Sequence, residues 1–143
     1  MDLQKILSRK CLEDDENLLL ALYPPSYDSE KGIVTKSAFK NNGTSVSRKS
    51  ILSVDDILQI LDFQLSKPGR RIEGYGCIMV AAVKEAAKAS EELYIEVTED
   101  PVADNEAHAE IIAFDSKDKQ GLKKKIPNPV AKEICRSLKI TKR

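Results

Sequence analysis

At 143 residues the chain has the length of one ordinary domain, enough for a single sizeable core. Apolar residues make up 41%, which excludes disorder of the whole chain; with aromatics at 5% and no Trp, the core rests on Leu, Ile, Val and Ala. Lys plus Arg equals Asp plus Glu, 23 against 23, so no overall basic excess marks a dedicated nucleic-acid binder.

Met1–Lys10 places Leu3, Ile6 and Leu7 at helical spacing opposite Lys5, Arg9 and Lys10, which predicts a short amphipathic helix that needs a docking partner to persist. The next apolar run, Leu18 to Tyr23, fits a buried strand or a helical turn and is stopped by Pro24-Pro25. Ser26 to Lys31 reads as a polar loop closed by Gly32. Ile33 to Phe39 and Thr44 to Arg48 flank Asn41-Asn42-Gly43, and Asn-Gly between strand-like segments predicts a hairpin.

Ser53 suits the N-cap of a helix whose first turn carries Asp55 and Asp56, where the helix dipole favours anions. Ile57, Leu58, Ile60, Leu61 and Leu65 form its apolar face, and Pro68-Gly69 ends it. Gly69 to Gly76 reads as a glycine-punctuated connector. Cys77 to Val83 reads as a strand followed by a short helix running to Ala89, because the preceding glycines make a poor helix start.

Leu93 to Thr98 and Ala109 to Phe114 are two further strand-like runs. Asp115 to Lys125 is a charged loop. Asn128-Pro129 offers an N-cap and a proline at the first helical position, and Val130, Ala131, Ile134, Cys135 and Leu138 line one face of the last helix. Residues 139–143 are expected to fray. The whole chain, 1–143, is expected to be one α+β domain: a mainly antiparallel sheet with helices packed on one face.

Cys11, Cys77 and Cys135 are odd in number and lack C-x-x-C spacing, which points to free thiols in a reducing compartment. The N-terminus lacks the long apolar core of a signal peptide, and no run approaches the roughly 20 apolar residues of a membrane span. A cytoplasmic protein without membrane association is the expectation. Charge is unevenly spread, acidic over Glu13 to Glu16 and basic over Lys117 to Arg143. Lys117–Lys125 is either a solvated surface or a phosphate-attracting patch, so a nucleic-acid partner enters there but is not favoured.

The candidate site is the elbow Asp100 to His108, which carries the only histidine, with Glu110 beyond it. If the strand begins at Ala107, His108 and Glu110 share one face. His108 then serves as a general base, oriented by Asp104 or Glu110, with Asn105 completing a polar cluster. The plainer reading is a tight turn capped by Asp104 or Asn105, with His108 bonded to backbone.

One His and three scattered Cys give no zinc spacing, and Asp100, Asp104, Glu106 and Glu110 lack the calcium-loop glycine, so neither a metal nor a cofactor is expected. No nucleophile elbow, P-loop or dinucleotide fingerprint is present, and Cys77 lies where a thiolate is disfavoured.

Leu22-Tyr23, Lys36-Ser37-Ala38-Phe39, Thr44 to Arg48 and Asp100 to Ile111 occur in one order that resembles a family of small uncharacterised bacterial proteins. That family has S-A-F, L-S-V and D-P-x-x-D-N-x-A-H-A-x-I segments. The likeness spans about residues 18 to 138, and its last segment is the specific one. Thr44 stands where the pattern has Leu, and Pro24 where it has a basic residue, a departure that puts any shared arginine chemistry in doubt. The resemblance implies no assigned activity. It implies an association with toxin–antitoxin or phage-defence genes, and it makes the Asp104-Asn105-His108 elbow the place to look.

Two functions follow. The first is a small cytoplasmic bacterial accessory protein that acts through a protein partner, motivated by the zero net charge and the apolar elements Met1–Lys10 and Leu18–Tyr23. The alternative is a hydrolase or nuclease acting on nucleotides or RNA, with His108 as general base.

Overall fold

The computed structural model describes residues 9–39, 43–90, 93–115 and 124–143. The expected helix Met1–Lys10 falls almost wholly outside them, as do Asn41-Asn42 and most of the basic segment Lys117–Lys125. The structure is α+β and mainly antiparallel. Its strands are β1 (Asn17–Leu22), β2 (Tyr27–Asp28), β3 (Ile33–Val34), β4 (Thr44–Arg48), β5 (Gly74–Met79), β6 (Leu93–Glu99), β7 (His108–Asp115) and β8 (Lys139–Lys142). Its α-helices are α1 (Val54–Ser66), α2 (Val80–Ala86) and α3 (Asn128–Ser137). Six strands form one sheet in the order β6-β7-β4-β1-β5-β8, and β2 pairs with β3 in a small second sheet. No described helix is long and apolar enough to cross a membrane.

The unbroken run of leucines in β1 explains the layering. Alternate strand residues point to opposite faces, so a strand apolar at both parities is covered on both. Leu18, Leu20 and Leu22 pack with Val80 and Val83 of α2 and Val130, Ala131 and Ile134 of α3. Leu19 belongs to a second cluster with Ile57 and Leu58 of α1 and with Ile72. The expectation of helices on one face is thus met by α2 and α3 but corrected by α1, which covers the other. Ser53 caps α1 as expected, its hydroxyl accepting the Asp56 N–H at 3.2 Å.

The expected hairpin across Asn41-Asn42-Gly43 is not the one formed. β4 pairs with β1 and β7 instead, and Lys36–Phe39 is a 3₁₀ turn that buries Phe39. The hairpin lies one segment earlier, joining Tyr27 to Val34 and Asp28 to Ile33. Asp28 Oδ1 accepts the N–H groups of Glu30 and Lys31, and Gly32 takes the left-handed backbone (φ 66°) that closes the turn. Asp28 thus supplies the turn through its side chain, while Phe39 goes into the core instead of a ladder.

Three other boundaries move. β5 begins at Gly74, inside the expected connector, and α2 follows it directly. α3 starts one residue early, with Pro127 at the cap and Asn128 already helical. Residues 139–143 do not fray: Lys139 to Lys142 pair with Cys77 to Gly74 as an edge strand, and Ile140 packs on the core.

Arg143 finishes that strand, donating to both carboxylate oxygens of Asp62 on α1 at 2.5 Å. The bond from Arg143 holds the Asp62 carboxyl below the usual carboxylate range. A depressed folded pKa contributes stability that is fully present above the unfolded value, about 3.9, and lost as pH falls through the folded one. The pair is partly solvated, so its worth is on the order of 0–1 kcal/mol. Arg143→Ala should therefore lower stability slightly at neutral pH and flatten the acid limb below pH ~4 in a urea-denaturation series; an unchanged acid limb would remove this pair as a contributor.

Candidate functional site

The elbow between β6 and β7 is a closed hydrogen-bonded corner. β6 and β7 pair as far as Glu99 opposite Ala109, and the next rung brings Asp100 opposite His108, with the Asp100 N–H donating to the His108 carbonyl at 2.9 Å. Within the corner Val102 and Asn105 exchange main-chain bonds at 3.1 and 3.0 Å, and the His108 N–H reaches the Asn105 carbonyl at 3.2 Å. Asn105 is 1% exposed and uses both ends of its amide. Its Oδ1 accepts the Ala107 N–H at 3.1 Å, and its Nδ2 donates to Ser47 Oγ at 3.3 Å, fastening the corner to β4.

His108 opens β7. Its Nδ1 lies 2.8 Å from the Asp100 carbonyl oxygen and 3.2 Å from Asp100 Oδ2. Both are pure acceptors, so the geometry puts a proton on Nδ1, and in the neutral ring of that tautomer the lone pair is on Nε2. Arg9 sits 3.4 Å from the other carboxylate oxygen of Asp100. The carboxylate beside Nδ1 is that of Asp100.

Asp104 is exposed and accepts a bond from Gln64 Nε2 of α1 at 2.9 Å. Glu110 shares the His108 face by alternation and stands opposite Thr98 and Ser45. Of the four residues expected to cluster, Asn105 builds the corner, Asp104 ties it to α1, and Glu110 lies one rung along.

His108 lines a cavity of about 320 Å³ between α1 and the sheet. Leu61, Gln64 and Leu65 of α1 form one wall; Leu19 to Tyr23 and Gly43 to Ser47 form another, with Ser26 and Ala38 at the side. Parts of all four segments that carry the family resemblance thus meet at one place. The volume is at the lower end of small-molecule sites, and the mixture of apolar walls with a few polar groups is typical of them. Among the described residues no three His, Cys, Asp or Glu side chains converge to hold a metal ion.

No protein-family model matches the chain, and no match is found among curated proteins or solved structures. The site must be read from its own geometry.

Two features escaped the sequence. By residue type Asp100 reads as a hard-cation ligand, whereas the β6–β7 register places it opposite His108. The contribution of β1 and α1 to a cavity beside His108 has no local signal, because it depends on a sheet order in which β4 separates β1 from β7.

Proposed function

We propose that the protein is a hydrolase acting at the cavity under α1, with His108 as general base. The observation that supports it is the way Asp100 occupies Nδ1, leaving Nε2 of a cavity-lining imidazole as a proton acceptor. In this reading Nε2 takes a proton from water as the water oxygen bonds to the electrophilic centre of the substrate. The bond to the leaving group breaks, and the imidazolium returns the proton to the departing atom. The Asp100 carboxylate, 3.2 Å from Nδ1, stabilises the imidazolium between those steps.

A single histidine makes the premise directly measurable. The ¹⁵N spectrum of His108 at neutral pH should show the tautomer protonated at Nδ1, and Asp100→Ala should preserve it, because the main-chain carbonyl is the shorter contact. A neutral ring protonated at Nε2 would have no lone pair there to take a proton from water and would end the proposal.

A second reading, an accessory protein that binds a protein partner, is supported by Phe63. It is 68% exposed on α1, with the Lys67 ammonium 5.6 Å from its ring centre. Phe63→Ser should cost less than about 0.5 kcal/mol of stability yet abolish stoichiometric partner capture from the native host. Capture that survives the substitution would remove this reading.

A further inference from the structure

The cavity lies where the sheet comes apart. β1 and β4 are central neighbours, yet their ladder consists of two pairs, Leu18 with Arg48 and Leu19 with Ser47. Continuing that register would set Ala21 opposite Ser45. That pair is not formed, and both residues line the cavity.

The direction of their main-chain groups follows from the bonds on either side. The Asn17 carbonyl accepts from Lys49 on the β4 side, so in an antiparallel ladder Leu19 and Ala21 direct their groups the same way. The Arg48 N–H donates to Ala107 on the β7 side, so Ser47 and Ser45 face β1. Ala21 and Ser45 therefore each direct an N–H and a C=O towards the gap, and among the described residues no ladder pair joins them across it. Ala21 is half-buried and Ser45 exposed, so an incoming chain with matching amide groups can reach both lips of the gap.

We infer that the cavity takes a short, extended peptide segment whose amide groups bridge Ala21 and Ser45. Such a ligand alternates donor and acceptor as the two strand lips do, which is the logic of β-strand addition, here between two strands rather than at an outer edge. A nucleotide fits less well: among the described residues lining the cavity there is no Lys or Arg to meet a phosphate. This rests on the hydrolytic reading only in using the same cavity, and it narrows the substrate class to peptide-like amides.

The test is a titration of the ¹⁵N-labelled full chain with N-acetyl-alanyl-alanine N-methylamide. The Ala21 and Ser45 amide signals should move downfield and their hydrogen exchange slow, while Leu19 and Ser47, already paired, stay put. The ester analogue lacking one ligand N–H should bind about 2- to 10-fold more weakly, the equivalent of one net hydrogen bond. Saturating peptide without shifts at Ala21 and Ser45, or equal shifts there from adenosine monophosphate, would overturn the inference. Peptide binding without cleavage would leave the inference standing and refute the hydrolytic reading. Cleavage of bis(4-nitrophenyl) phosphate that depends on His108, with no peptide response, would do the reverse.

Discussion

Replacing His108 with glutamine should lower hydrolysis about 10²- to 10⁴-fold, the contribution of a positioned general base, while the urea midpoint stays close to that of the parent chain. Glutamine is the informative choice because its amide can still donate to the Asp100 carbonyl, so the corner keeps a bond that alanine would lose. The fold does not depend on the ring for burial, since the corner is held by Asn105 and by the main-chain bonds of Val102 and Asp100. The measurement is a turnover assay across amide, ester and phosphodiester substrates alongside denaturation. Loss of folding would assign His108 to the corner, and full activity in a folded variant would remove it from the chemistry.

The second large effect contrasts two neighbours on β1. Leu18 and Leu19 are both fully buried, but they face opposite layers. Leu18→Ala opens a hole in the layer built by α2 and α3 and should cost about 3–5 kcal/mol. Leu19 already borders the cavity under α1, so its side chain has fewer atoms to lose contact with, and Leu19→Ala should cost about 2–3 kcal/mol. Equal losses in urea denaturation would mean that the space beside Leu19 is closed in solution.

What the sequence made legible was local. The capping of α1 by Ser53, the paired runs β6 and β7, and the stop at Pro24-Pro25 all rest on chemistry within a few residues. What it concealed was competition between distant segments. The Asn41-Asn42-Gly43 sequence is a strong hairpin cue, yet Thr44–Arg48 lies between β1 and β7 rather than folding back on Ile33–Phe39. Lys139 to Lys142 has one apolar residue, too little for a strand alone, and is recruited by the open edge of β5. For the site, the histidine and its corner were visible. Its partner Asp100 needed the register, and the cavity needed the whole sheet.

The strand order has a kinetic corollary. Leu19 must find Cys77, and Val46 must find Ala109, before the middle of the sheet exists. Contacts between such remote stretches require large loops to close before any gain is collected, which places refolding in the slow, millisecond-to-second class of small proteins. A nascent chain that has emerged only through α1 holds β1 and β4 without β5 or β7 to flank them, leaving leucine-rich backbone edges open to mispairing until the later strands arrive.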